Sequence, residues 1–252
     1  MKKWTLIYMV FVGVLAMAQD EVLFDKATTA YNEGNYELAI DNYQQILRNG
    51  KHSANVYFNL GNSYYKSNQI GPSIYYYEKA LLLDPNNPEI RNNLSFAQQM
   101  TIDAIEPLPQ TALSKILSNT RGIFTFDQWA YIAIGFMVLF VALYLSFYFM
   151  RFAAQKRIAF IGSLVSLLLS GLCIAMAVFQ YQDFIKTNPA IIFAQETTVK
   201  EEPNNRSNTL FELHEGTKVM VEEKLNDWNR VRLADGKNGW IPASDLKLLK
   251  DF

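Results

Sequence analysis

The chain has a single cysteine, Cys173, among 252 residues. One thiol closes no internal disulfide, and inside an apolar run it reads as a small packing residue. Histidine is nearly as scarce, with only His52 and His214. One Cys and two distant His leave no Cys/His metal site. The sequence has no G-x-S-x-G, G-x-x-x-x-G-K-[ST] or G-x-G-x-x-G motif, hence no nucleophile elbow and no phosphate cradle. Its acid pairs, such as Glu201-Glu202 and Glu222-Glu223, are adjacent in sequence as on solvated faces, unlike a glycosidase pair. Neither sign of charge is in excess, with 23 Lys+Arg against 24 Asp+Glu. That balance gives no electrostatic footprint for nucleic acid. These absences point away from an enzyme and from any cofactor, and towards a protein that works by binding.

What is present starts with residues 54–87, ANVYFNLGNSYYKSNQIGPSIYYYEKALLLDPNN. Tyr57, Leu60, Gly61, Tyr64, Tyr77, Ala80 and Pro85 form a large, large, small, large, large, small, Pro pattern over 34 residues. Two paired helices need such spacing. Gly61 lets the second helix approach the first, Ala80 does the same for the next unit, and Pro85 stops the helix. The segment resembles a tetratricopeptide (TPR) repeat. It departs at Asn68, where Gly is usual, and at Ser73, where Ala is usual. A weaker copy covers residues 20–53, with Ala27, Ala30, Gly34, Tyr36, Ala39 and Tyr43 in place but Lys51 where Pro is expected. PEIRNNLSFAQQM follows, with Pro88 at a helix start and Ile90, Leu94 and Ala97 on one stripe, as in a capping helix. The expectation is a two-repeat α-solenoid with a cap over 19–100. The resemblance places the binding groove on the inner faces of the first helices. The residues are Phe24, Thr28 and Tyr31, then Phe58, Asn62, Tyr65 and Lys66, then Asn92, Phe96 and Gln99. With Lys66 its only cation, the groove suits an extended peptide or a partner helix better than a C-terminal carboxylate. A competing reading has the linker cover part of this face.

The first residues, MKKWTLIYMVFVGVLAMAQD, combine Lys2 and Lys3, an apolar run and an Ala16-Met17-Ala18 site. They predict a signal peptide over 1–18, the alternative being an uncleaved anchor. Residues 129–150 and 158–179 carry no charge. At about 1.5 Å per residue each run reaches roughly 33 Å, enough for a hydrocarbon core of about 30 Å. They predict two transmembrane helices over 129–150 and 158–180. The loop 151–157 holds Arg151, Lys156 and Arg157 and no acid, so it is expected in the cytoplasm. The N- and C-terminal parts then lie on the periplasmic side of a bacterial inner membrane. Trp129, Tyr131 and Tyr181 suit the outer interface. Gly162, Ser166 and Ser170 make a small-residue stripe for a neighbouring helix, first of all the other span. Residues 101–128 read as a linker broken by Pro107 and Pro109, with TALSKIL as an interfacial helix.

From residue 190 the chain turns β-rich. Strands are expected at 191–193, 217–222, 228–233 and 239–242, with Asp235-Gly236 as a hairpin turn. Leu210-Phe211, His214-Glu215-Gly216, Asp227-Trp228, Val231, Asp235-Gly236-Lys237 and Gly239-Trp240-Ile241 together resemble a bacterial SH3-like β-barrel over 190–250. Trp228 and Trp240 are its candidate ligand face, helped by the loop 203–207. The alternative is that they hold a small barrel together.

The order of parts, with YNLGNSYYK-like and DGKNGWI segments at Tyr57–Lys66 and Asp235–Ile241, resembles the BatE family of the Bacteroides-type aerotolerance operon. That resemblance implies a non-enzymatic envelope scaffold. Its implied partners are membrane proteins with von Willebrand factor A domains and a MoxR-type ATPase. The alternative function is a peptidoglycan or cell-wall sensor acting through the SH3-like part.

Overall fold

The computed structural model describes residues 20–109 and 124–250. The expected signal peptide and the TALSKIL segment lie outside the described residues. Two compact units are present. One joins the chain before residue 109 to the chain after residue 187, and the other spans Pro109–Thr187.

The first unit begins with helices. Helix α1 covers residues 20–32, followed by α2 (Tyr36–Arg48), α3 (Ala54–Lys66), α4 (Ile70–Leu83) and α5 (Pro88–Gln98). Local chemistry sets their starts. Asn35 accepts from Leu38 N, Ser53 accepts from Val56 N, and Asn87 caps α5 with Pro88 just inside it. The turn before α4 needs a left-handed residue, and Asn68 supplies it at φ 60°. Gly61 has no room for a side chain, because a Cβ there would lie 2.6 Å from the Tyr77 ring. Ser73, in place of the usual Ala, is fully buried, and its hydroxyl donates to Gly61 O at 2.9 Å. The first repeat packs around Ala27, Ala39, Ile40, Tyr43 and Leu60, and the second around Tyr57, Ile74, Tyr77, Ile90 and Leu94.

The C-terminal part is a single antiparallel sheet of seven strands. They are β1 (Pro189–Ile192), β2 (Glu196–Lys200), β3 (Thr209–His214), β4 (Lys218–Leu225), β5 (Trp228–Arg232), β6 (Asn238–Pro242) and β7 (Leu246–Leu248). Their order is β3-β2-β6-β5-β4-β1-β7. One apolar cluster takes Ala190, Val199, Leu213, Val219, Val231, Ile241 and Leu246. Every strand contributes to it, so the sheet wraps around its own core in the SH3-like manner. The β5–β6 hairpin turns at Asp235-Gly236, with Gly236 at φ 90°. Strands β2, β3 and β7 went unanticipated. Glu, Thr and Lys dilute the apolar alternation of β2 and β3, and β7 is only three residues long.

Strand β1 is buried on both faces. Ala190 and Ile192 point into the sheet core, while Ile191 joins the helical core together with Leu249. Phe193 stacks edge-on to Tyr75 at 5.3 Å, and Tyr75 OH donates to Leu248 O at 3.3 Å. Glu78 of α4, almost fully buried, receives Lys218 Nζ at 2.6 Å. The turn between β3 and β4 also wedges onto α4. A Cβ on Gly71 would overlap Glu215, and one on Gly216 would meet Ile74 at 3.0 Å. The helical and sheet parts therefore share one core.

The second unit is a pair of helices, α6 (Phe126–Phe149) and α7 (Ala153–Lys186). Both are long and apolar enough to cross a membrane. Thr125 and Gln128 form a reciprocal cap at the start of α6. The small-residue stripe faces α6, where Ser166 Oγ donates to Phe136 O at 2.7 Å and Ser170 Oγ donates to Ala133 O at 2.9 Å. These hydroxyls are satisfied where the helices touch, which suits an apolar surround. Phe126 meets Tyr181 and Phe184 near the far end of the pair, at ring separations of 5.6 and 5.5 Å.

Substituting Ile191→Ala removes a fully buried side chain shared by two modules, and is expected to cost about 2–4 kcal/mol. Denaturant unfolding of the detergent-solubilised protein should show helix and sheet lost in one shifted transition. Separate midpoints for the two signals would contradict a shared core.

Candidate functional site: interaction surfaces

The repeat groove is built from residues three and four apart, which fall on one face of a helix. Phe24, Thr28 and Tyr31 take this spacing on α1, and Phe58, Asn62 and Tyr65 on α3. Side chains from the second helices support them. Tyr43 OH meets Thr28 Oγ1 at 2.9 Å and its ring lies edge-on to Phe24 at 5.5 Å. The Phe58 and Tyr77 rings are 5.9 Å apart, and Tyr31 packs edge-on to Tyr36 at 5.5 Å. Phe24, Thr28, Tyr31, Phe58, Asn62 and Tyr65 are all half-buried, whereas Lys66 is exposed at the end of α3.

Asn62 is the organised polar point of the groove. Its Oδ1 accepts from Tyr77 OH at 2.6 Å and from Asn93 Nδ2 at 2.9 Å. Burial pushes the Tyr77 phenol well above its ordinary value, so it stays a proton donor. With the carbonyl oxygen doubly engaged, the Asn62 amide nitrogen has no partner among the described residues. Asn93, rather than Asn92, reaches Asn62, so Asn93 and Tyr77 join the groove without having been singled out in the sequence. The repeat spacing of 34 residues did not point to them, because Asn93 sits 31 residues after Asn62 and Tyr77 sits 15 after it. Asn92, Phe96 and Gln99 are exposed on α5, with Phe96 half accessible.

On the sheet, Val231 and Ile241 face the core, so alternation puts Trp228, Arg230 and Trp240 on the outer face. Pairing sets Trp240 opposite Lys200 on one side and Arg230 on the other. Trp228 pairs with Pro242 and lies diagonal to Trp240. Trp228 is half-buried, whereas Trp240 is only 9% exposed. The two rings share a face, but little of Trp240 is open to a ligand. The loop of residues 201–208 is tied internally, with Glu201 N donating to Asn208 O and Glu202 N donating to Ser207 Oγ.

A further cluster lies where the expected linker begins. The Asp103 carboxylate accepts three hydrogen bonds, from His214 N at 2.7 Å, His214 Nδ1 at 2.7 Å and Thr217 Oγ1 at 2.5 Å. Partial burial pushes the Asp103 carboxyl up. The bonds from Thr217 and His214 outweigh that and hold it below its ordinary value. The same contact to Asp103 raises His214, with Glu196 and Glu212 adding to the effect. Residues 101–108 thus belong to the first unit rather than to a free linker.

Residues 54–87 match the tetratricopeptide repeat family, and residues 196–247 match the bacterial SH3 domain family. No curated protein matches the chain. The chain therefore carries a TPR repeat and a bacterial SH3 domain, both of which work typically as non-catalytic interaction modules.

Two outcomes follow from these contacts. Asn62→Ala strips Tyr77 OH and Asn93 of their shared acceptor and should cost about 1–2 kcal/mol by denaturant titration. The Asp103–His214 contact should depend on pH in a definite direction. A raised His contributes fully below its ordinary value of 6.5 and loses that contribution as pH rises through the raised one. A lowered Asp contributes above its ordinary value of 3.8 and loses that contribution as pH falls through the lowered one. The melting temperature of wild type minus that of His214→Gln should be positive near pH 5.5 and shrink towards zero by pH 9. A difference independent of pH would contradict this assignment.

Proposed function

We propose that the protein is a non-enzymatic, membrane-anchored scaffold whose TPR groove holds a partner protein. The observation that carries this reading is the groove itself. It is a half-buried aromatic surface around one asparagine whose carbonyl is already engaged and whose amide nitrogen has no partner among the described residues. Such a surface packs on side chains and donates to a peptide carbonyl, and it needs no charged terminus. The helices α6 and α7 supply the anchor. In our reading it crosses a bacterial inner membrane with the Arg- and Lys-bearing loop inside and both modules on the periplasmic side. The resemblance to the BatE family adds a role in aerotolerance or stress. It makes membrane proteins with von Willebrand factor A domains and a MoxR-type ATPase system the expected neighbours.

Affinity purification of full-length protein from gently crosslinked membranes tests the proposal. The comparison is with a Tyr31→Ala, Asn62→Ala, Tyr65→Ala variant. Because Asn62 also supports the fold, Lys66→Glu combined with Phe96→Ala serves as a second, surface-only variant. Membrane proteins recovered with wild type and lost with both variants are the expected result. Undiminished recovery with both removes the groove from the function. Recovery of wall fragments alone transfers the function to the bacterial SH3 domain as a peptidoglycan sensor.

A further inference from the structure

Residues 102–109 form neither helix nor strand, yet they are fastened to the sheet at three points. Asp103 is gripped by the His214 backbone, the His214 ring and the Thr217 hydroxyl. Ile105, two residues on, packs against the apolar core of the sheet. Leu108 N then donates to Ala234 O at 3.0 Å, and the Leu108 side chain lies beside Gly236, where a Cβ would come within 3.2 Å. Asp103 and Ile105 are two residues apart, as in an extended peptide whose alternate side chains face the same way, and Leu108, three residues further on, breaks that alternation. Ala104, Glu106 and Pro107 are exposed, and Leu108 is 59% exposed. A cleft of about 410 Å³ remains open alongside, lined by Gln98, Ala104, Pro107, Gly216, Lys218 and others.

This attachment differs from that of an eighth strand. A paired strand is held by a ladder of main-chain bonds, as β1 is between β4 and β7. Among the described residues, one bond between main-chain groups joins 103–108 to the sheet part, from Leu108 N to Ala234 O. The hold rests instead on an acid and an aliphatic side chain entering prepared positions, the way a domain holds a peptide ligand. A segment with so few buried groups opens far more readily than the core beneath it.

We propose that the surface formed by residues 214–218 and 234–236 is the peptide-binding face of the bacterial SH3 domain, occupied here by residues 103–108 as an intramolecular ligand. In trans it takes an extended protein segment offering a carboxylate, an aliphatic side chain two residues later, and an apolar residue three beyond that. Such a segment competes with the tethered one, whose effective concentration is high because it is part of the same chain. Occupancy in cis therefore sets a threshold for binding in trans. The inference is independent of the TPR groove.

The test uses full-length protein in detergent micelles and an end-capped, fluorescein-labelled peptide with the sequence TIDAIEPLP. The variant Asp103→Ala/Ile105→Ala empties the face and should bind the peptide at least ten-fold more tightly than wild type, on the order of the gain expected when a tethered competitor is removed. A peptide with Asn in place of Asp should lose most of that binding. Adding Thr217→Val to the variant should reduce it again. Equal binding to wild type and variant overturns the proposal, as does equal binding of the Asn peptide. Should the double variant fail to unfold cooperatively, the near-isosteric Asp103→Asn serves in its place. It should gain about three-fold by the same competition, and no gain overturns the proposal.

Discussion

A four-residue strand buried on both faces is the constraint from which the first unit's architecture follows. Ala190 and Ile192 complete the core of the sheet, and Ile191 completes the core of the second TPR repeat. A strand shared in this way cannot be withdrawn from one core without opening the other. The sheet must therefore lie along α4, and α4 must tolerate being covered. Two otherwise costly side chains on α4 are buried. Glu78 is buried because Lys218 reaches it from the sheet. Lys79 is buried with its ammonium 5.0 Å from the Tyr57 ring centre and 5.2 Å from that of Tyr75.

The sharing also divides labour between the helices. The second helix of the repeat carries the seam with the sheet, through Tyr75 and Glu78. The first helix carries the groove, through Phe58, Asn62 and Tyr65. Covering one helix leaves the groove residues of the other in place, so the bacterial SH3 domain stiffens the TPR repeat without displacing the face we propose for binding. Tyr77 belongs to both halves, since its ring fills the space beside Gly61 and its hydroxyl orients Asn62.

Local rules made much of this legible in the sequence. The 34-residue spacing, the Gly61–Tyr77 complementarity, the left-handed turn at Asn68 and the Asp235-Gly236 hairpin all depend on neighbours or on a fixed period. The two long apolar runs and the small-residue stripe on the second of them were equally plain. What escaped depends on contacts with no local signature. Glu78 and Lys218 are 140 positions apart, and nothing near either announces the other. Strands β2 and β7 are too short and polar to stand out from loops. One clue was present in Ala190-Ile191-Ile192. A continuous apolar run, rather than an alternating one, belongs to a strand covered on both sides. Asp103 gave no such warning, because a lone acid in a proline-containing stretch looks like any solvated residue.

The first unit is made from two stretches of chain that the helical hairpin separates. The TPR repeats are synthesised first, with Ile74 and Tyr75 awaiting a cover that includes Ile191 and Leu249. Those residues emerge only after both apolar helices have been made. Completion of the body is therefore coupled to prior passage of the hairpin through the biosynthetic machinery. A chain that stalls at the hairpin carries an open apolar face on α4, the kind of surface that chaperones and proteases act on.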